Sequence, residues 1–399
     1  MREMSTTVGI GGSDSRDSFA AGRAAATEAL APFAGRAPGV LVVFATAGHD
    51  QQALLDGIRD VAGPVPLSGC SAEGVISRAG SDEGTHAVGV MALGSDHIRF
   101  RTLAAPGLSK HSEEGGRALV AGAARREGNE LLLVFPDGLT VQSAQLFAGL
   151  EAGLGRPLQI VGGGAGEMMQ FQRTFQYHDG SALWDAVTGL LIDGDFETEI
   201  EVSHGCDVVG TERTVTRAAG TVVFEIDGRP AWSVIKEYLE DDSADLDGLA
   251  VSYSCVAERL SESDEEYGEY VIRTPLQLDK SNGALVFPGE LRTGTKILMA
   301  RRDPERIRAK AIHSAERIAE RRRGQEPLAV LQFDCTGRGR LLFGERTTDD
   351  LIAPMQAALS TTAPWLGFHT YGEIAPVRGR THYHNYTVVL LAIYERRPR

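Results

Sequence analysis

Two glycine-containing segments place acidic and aromatic residues where a strand would end: VGGGAGE at 161–167 and GFHTYGE at 367–373. Glycines at such turns let a backbone approach a ligand closely and expose N–H groups as anion receptors. On that reading Gly163, Gly164, Tyr371 and Gly372 contact a ligand. The alternative is that these glycines only relieve crowding at a bend between strands. Glu167 and Glu373 close the two segments, and a carboxylate at a pocket rim suits a ligand ammonium group. Either could instead cap the N–H groups of its own turn. Arg338, in the run DCTGR at 334–338, offers a planar fork that matches a ligand carboxylate or an internal carboxylate equally well.

The histidines raise a second chemistry. His382 and His384 are two residues apart and would share one strand face, with His204, His369 and His178 elsewhere in the chain. A metal would need three or four of them to converge, which spacing alone does not establish. Cys70, Cys206, Cys255 and Cys335 lie far apart with no C-x-x-C pair, so neither a disulfide scaffold nor a thiolate zinc site is indicated. Cys70 and Cys335 each end an apolar run, the usual place of a buried thiol that packs as a small hydrophobe. The segment around Ser71 fails the nucleophile-elbow pattern because Glu73 stands where glycine is required. Glu167 likewise breaks the dinucleotide fingerprint, and no phosphate loop is present. No base–nucleophile pair is recognisable, so the expectation is a binding protein and not an enzyme. The enzymatic alternative would act on a small amino compound through Cys335 or the turn carboxylates.

These residues are positioned by a unit that occurs three times. The first copy reads as a strand at 39–46, a helix around 51–61, a strand with a glycine turn at 66–77 and a closing strand at 86–94. The order returns at 131–136, 142–152, 157–168 and 186–193, and again at 328–335, 349–359, 364–375 and 384–394. Pro66, Pro157 and Pro364 open the second strand of each copy, and Gly74, Gly166 and Gly372 mark its turn. The first copy has Val75 where the others are read as carrying glutamate, which weakens its claim to a pocket role. Apolar runs such as VLVVF and LLLVF lack alternation, as central strands covered on both faces do.

The expected fold is therefore α/β, with mixed parallel and antiparallel sheets in two domains built from tandem β-α-β-β units. Strands at 221–227 and 270–278 and a helix at 231–240 set the region after Ala219–Gly220 apart, which gives domains 1–220 and 221–399. Acidic, serine-rich stretches at 241–247 and 261–266 read as loops. The basic stretch 301–323 has Ile307, Ala311, Ala315 and Ile318 at helical spacing and reads as an amphipathic helix with a solvated basic face.

A formal net charge of −14 opposes close contact with phosphate backbones or anionic lipid, so neither nucleic acid nor membrane is an expected partner. No charged start followed by an apolar stretch is seen, and nowhere do 18 apolar residues run together, which leads to a cytoplasmic expectation.

The motifs GCSAEGVI, VGGGAGE, His204-Gly205, FDCTGR, GFHTYGEIAP and HNYT resemble the recurring motifs of FIST proteins, from residue 39 to residue 394. The resemblance implies a bacterial sensory protein with FIST N-terminal and C-terminal segments. Such a protein binds a small ligand, an amino acid or a related compound, and signals to a partner. No output segment is recognisable, so that partner, a histidine kinase or another output protein, would be encoded separately. Some members of the family are similar to haem-binding nitric oxide sensors acting on histidine kinases, and on that alternative His204 and His384 are the candidate haem ligands; otherwise no cofactor is expected.

Overall fold

The structure, a computed structural model, describes residues 6–123, 128–238, 254–264 and 267–396. The first copy of the unit comprises β1 (Thr6–Ser13), α1 (Ser18–Leu30), β2 (Val40–Thr46), α2 (Gln51–Ala62), β3 (Leu67–Ala72), the hairpin β4 (Gly74–Ser77) and β5 (Gly80–Asp82), and β6 (Val88–Ser95). The second repeats it as β7 (Ile98–Pro106), α3 (Ser112–Leu119), β8 (Asn129–Pro136), α4 (Ser143–Leu154), β9 (Gln159–Gly163), the hairpin β10 (Gln176–His178) and β11 (Ser181–Leu183), and β12 (Ala186–Gly194). The third opens with β13 (Phe196–Ser203) and is then interrupted.

The interruption holds β14 (Cys206–Ala219), β15 (Val222–Ile226), β16 (Arg229–Pro230), α5 (Ala231–Ile235), β17 (Cys255–Asp264), β18 (Gly268–Arg273), β19 (Gln277–Asp279), β20 (Ala284–Val286) and β21 (Lys296–Arg302). The third copy resumes with α6 (Pro304–Arg321), β22 (Ala329–Cys335), α7 (Arg340–Phe343), α8 (Ala353–Leu359), β23 (Trp365–Thr370), the hairpin β24 (Glu373–Val377) and β25 (Arg380–His384), and β26 (Val388–Glu395). The fold is α/β with mixed sheets, as the sequence predicts.

Each copy gives its hairpin away. β4 pairs antiparallel with β23, β10 with β3, and β24 with β9. Only Glu73 separates β3 from β4, too few residues to turn a strand back on itself, so the chain runs on into the neighbouring sheet. The exchange is cyclic, and three six-stranded sheets result: β1-β6-β2-β3-β10-β11, β25-β24-β9-β8-β12-β7 and β13-β26-β22-β23-β4-β5. The two domains are successive in sequence but share two of these sheets. The expected boundary at residue 220 falls in the turn between β14 and β15, which pair as one hairpin.

Alternate residues of the central strands face different cores. Val40, Val42 and Phe44 point to the common interior, while Leu41, Val43 and Ala45 meet α1 and α2. Leu131, Leu133 and Phe135 repeat this on β8, and Ala329, Leu331 and Phe333 on β22. This two-sided burial is why the runs show no apolar–polar alternation. At the centre the rings of Phe44, Phe135 and Phe333, one from each copy, lie with centroids 5.4 to 6.4 Å apart, and Phe368 packs 4.4 Å from Phe44.

Two local expectations need amendment. The stretch 261–266, expected as a loop, continues β17 through Asp264, because backbone pairing of Asp264 to Gly268 on β18 does not depend on apolar side chains. The basic face of α6 is less solvated than expected: Arg317, Arg321 and Arg322 lie against Glu197, Glu199 and Glu201 on β13, with Arg321 Nε 2.8 Å and Arg322 Nε 2.9 Å from Glu199. The other acidic stretch, 241–247, lies outside the described residues, as do the last two residues of the helix expected at 231–240. Its start is α5, and a single 3-10 turn follows to Tyr238.

The central rings set a stability test. Phe135→Ala removes a fully buried ring shared by three sheets and is expected to cost about 3–5 kcal/mol in chemical denaturation. Phe19→Ala, at a position 41% exposed, should cost far less, and equal costs would show that the three rings do not form a common centre.

Candidate functional site

The parallel pairings fix which residues are equivalent. Gly69, Gly162 and Gly367 lie opposite Val43, Val134 and Gln332, each one residue before the central phenylalanine. Counting on four residues makes Glu73, Gly166 and Tyr371 equivalent, and the next set is Gly74, Glu167 and Gly372. Gly166 is therefore one position out of step with Gly74 and Gly372. Glu373 corresponds to Val75 and Met168, not to Glu167.

Three side chains, one from each copy, meet where these turns converge. Glu73 Oε1 accepts hydrogen bonds from the Glu167 N–H at 2.8 Å and the Met169 N–H at 3.1 Å. The Glu167 carboxylate accepts from the N–H groups of Phe171 at 2.6 Å and Gln172 at 3.3 Å. The Tyr371 hydroxyl donates to Glu167 at 2.8 Å and accepts from the Met169 N–H at 2.9 Å. The backbones are tied as well: Gly166 N–H donates to Ser71 O, Tyr371 N–H to Gly164 O and Glu73 N–H to His369 O. Burial raises the Glu73 carboxyl above its ordinary range, against the pull of the Tyr371 hydroxyl and the two N–H groups.

These carboxylates hold an unusual turn. Met168, Met169 and Phe171 have φ of 67°, 55° and 54°, a left-handed conformation that side chains disfavour by roughly 1–2 kcal/mol per residue. Phe171 stacks on Tyr371 with centroids 5.9 Å apart and planes 10° apart. Beside this stack is a cavity of about 40 Å³ lined on one side by Met169, Phe171, Tyr371, Cys335, Thr336, Gly337, Leu341, Asn385 and Tyr386. Thr274, Leu276 and Arg302 of the inserted strands close the other side. Arg302 donates to Gly337 O at 2.8 Å and lies over the Tyr386 ring at 4.9 Å.

The sequence-predicted residues divide. Tyr371 lines the cavity, and Glu167 lies directly behind it. Neighbouring side chains press on Gly163 and Gly164: a Cβ there would come within 2.6 Å of Thr370 Cγ2 and 2.5 Å of the Tyr383 hydroxyl, and one on Gly372 would overlap the same Tyr383 ring. Their small size is thus set by packing. Glu373 is fully buried away from the cavity, accepting from the Thr370 hydroxyl at 2.5 Å and from the Thr387 hydroxyl and N–H at 2.7 and 3.1 Å. Arg338 is also fully buried, with Nε 2.8 Å from Asp334 and Nη1 donating to Ser203 O at 3.2 Å.

His204 and His384 both pack edge-on against the Tyr267 ring, with centroids at 5.4 and 5.3 Å. His384 takes the Tyr267 hydroxyl on Nδ1 at 2.9 Å and reaches Ala375 O with Nε2 at 3.1 Å, so Nε2 carries the proton, and burial keeps the ring neutral. The His204 Nδ1 accepts from the Cys206 N–H at 3.1 Å. Haem would require an uncommitted imidazole nitrogen facing a cavity of about 300 Å³ or more. His384 has both nitrogens engaged, and the cavity nearby is far smaller, so His384 as arranged does not fit that group. Among the described residues no three metal-binding side chains converge. Sequence spacing gave no sign that Cys206, Cys255 and Cys335 would share one apolar cluster, where the neighbouring Cys255 thiol draws Cys206 down to about 6.

Two outcomes follow from these environments. Glu73→Ala strips the acceptor from the Glu167 N–H and leaves the Met169 N–H with the Tyr371 hydroxyl alone, and should cost about 1–3 kcal/mol while speeding amide exchange at 167–172; unchanged exchange would show that the turn holds itself. Burial pushes Glu373 up to about 8 from 4.5, so between these values the folded chain keeps a proton that the unfolded chain has released. Its contribution to stability falls as pH rises through that window and is flat above it. Glu373→Gln should therefore gain stability relative to wild type by a few kcal/mol between pH 5 and pH 8, measured by denaturation at each pH.

Comparison with known proteins supplies the family. Over 388 residues the chain is 28% identical to an uncharacterised protein of Mycobacterium tuberculosis, spanning 95% of this chain and 97% of that one. An uncharacterised protein of Mycobacterium bovis is 29% identical over 391 residues with the same coverage. A crystal structure of a cyanuric acid hydrolase from A. caulinodans covers 99% of this chain and 100% of its own at 10% identity and a TM-score of 0.36, too slight a likeness to bear on fold or chemistry. The FIST N domain matches residues 39–229 and the FIST C domain residues 231–376. FIST domains are sensor domains of signal transduction, and this chain belongs to the FIST family.

Proposed function

We propose that this chain is a cytoplasmic sensor that binds a small ligand in the cavity between the three-copy body and the inserted strands, and signals its occupancy to a separate protein such as a histidine kinase. One observation carries the reading. All three copies direct a side chain or turn toward one place, and the apolar gap beside it is closed by a segment outside the repeat. Boundaries between separately attached elements are favoured places for small-molecule sites. Amino acids and related compounds, which the resemblance suggested, fall within the size range such a gap could reach with modest movement of its walls.

The sensor reading is favoured over an enzyme acting through Cys335 or the turn carboxylates. Burial pushes the Cys335 thiol well above its ordinary value, which leaves little thiolate for attack. Glu373, the other candidate, is enclosed by Thr370 and Thr387. A cytoplasmic setting suits four buried free thiols, and among the described residues no helix is long and apolar enough to cross a membrane.

The test is mass spectrometry of small molecules released on denaturing protein purified from its native host. A single species in near-stoichiometric amount is expected, and re-adding it at about 100 times its dissociation constant should stabilise the chain by roughly 2.7 kcal/mol. No co-purifying species, together with no melting shift across a metabolite library, would end the sensor reading.

A further inference from the structure

The walls of the cavity limit what it can hold. Six side chains dominate them: Met169, Phe171 and Tyr371 from the converging turns, Leu341 and Tyr386 from the third copy, and Leu276 from the insertion. Aromatic and aliphatic surface faces the gap, and Phe171 and Tyr371 present nearly parallel rings. Flat apolar molecules gain most from such walls.

The charged groups nearby are already committed. Arg302 is held by Gly337 O and the face of Tyr386. Glu167 is spent on two N–H groups and the Tyr371 hydroxyl, Arg338 pairs with Asp334, and Glu373, buried away from the cavity, holds its proton until the pH rises to about 8. The Thr274 hydroxyl in the wall could give one hydrogen bond but no countercharge, so an ammonium or carboxylate entering the gap would lose water for little return unless one of these contacts were broken, and a zwitterion would do so twice.

Size adds a second constraint. A gap of about 40 Å³ holds little more than a water, whereas an apolar cavity that takes benzene is on the order of 150 Å³. Something must move to admit a ring. The segment fitted to move is the turn that carries Met169 and Phe171, since three of its residues are held in left-handed backbone by the Glu73 and Glu167 carboxylates. Methionine side chains re-pack around different shapes at small cost.

We propose that the cavity takes a neutral, planar, largely apolar ligand of the aromatic or heteroaromatic class, admitted by outward displacement of the 168–171 turn. This rests on the sensor reading above and narrows it away from free amino acids. Displacement unstacks Phe171 from Tyr371 and brings the ligand ring against the tyrosine in its place.

Calorimetry on the full chain with indole, benzoate and phenylalanine as probes tests the class, and amide exchange with and without indole tests the turn. Indole should bind at least tenfold more tightly than either charged probe and should raise exchange at 167–172. Leu276→Trp and Leu341→Trp fill the gap from opposite sides, and whichever keeps the wild-type melting temperature should weaken indole at least tenfold. If benzoate or phenylalanine binds as tightly as indole and both filling variants weaken it, the cavity takes charged ligands; the proposed class then falls while the sensor reading stands. Absent indole binding, or indole binding with exchange at 167–172 unchanged, overturns the inference even if neither variant folds. A co-purifying ligand whose binding ignores both filling variants would instead move the sensing site away from this cavity.

Discussion

The constraint on which the rest of the structure depends is the cyclic loan of hairpins. β3, β9 and β23 are each completed by a strand from the next copy, so no copy closes its own sheet. An isolated copy would expose an unpaired strand edge and one apolar face, neither of which a domain of that size can leave open. Closing the ring satisfies all three edges together and brings Phe44, Phe135 and Phe333 into one centre. The loan also dictates where chemistry is placed. Each chain segment leaving its own sheet crosses the same end of the ring, so the residues at these crossings, Glu73, Glu167 and Tyr371, are neighbours although they are up to 298 positions apart in sequence.

Burial and hydrogen bonding act in opposition on the carboxylates at this end. Glu73 and Glu167 offset the loss of water by accepting from backbone N–H groups of a turn whose own conformation is unfavourable. Carboxylate and turn hold each other: without the acids the left-handed residues have no anchor, and without the turn the acids have too few donors. Glu373 has three donors and is still pushed up, because its surroundings are drier and Asp334 adds negative potential nearby. As at Glu73, burial outweighs the donors.

Much of the body is legible in the sequence. Three copies of an apolar strand, a helix and a glycine turn give the α/β class, the central strands and the amphipathic α6, since period and turn chemistry are local properties. The exchange of hairpins is not legible, because a strand that follows a one-residue link reads the same whichever sheet receives it. The same blindness misaligned the site. Matching Glu167 with Glu373 by their shared Gly–Glu step follows the letters, whereas pairing across β8–β9 and β22–β23 shifts one against the other by a residue. The first copy, set aside for carrying Val75, in fact supplies Glu73. Its position two residues ahead of Val75 was a usable signal only once register was known. Residues of the insertion that close the cavity had no signal, since Thr274, Leu276 and Arg302 belong to no repeat.

The insertion then has a role that follows from its attachment. It leaves the body after β13 at His204–Gly205, where Gly205 has φ of 114° and lies against the start of α6, and it returns through β21 into the same helix. Its two connections are thus adjacent, and its sheet, β18-β17-β21-β14-β15-β20-β19, shares no strand pairing with the three body sheets, which it meets through side chains: Arg273 on β18 donates to Tyr383 O and the Tyr267 hydroxyl meets His384, both on β25. The ring is closed by strand exchange on every side, whereas the inserted sheet is held to it by side-chain contacts, among them Val271 and Tyr267 in the common core. Arg302 lies at the returning connection with one hand on Gly337 O and its face on Tyr386, both of which border the cavity. On the proposed reading, a molecule seated between ring and insertion would press on side-chain contacts and leave every strand pairing of the ring intact.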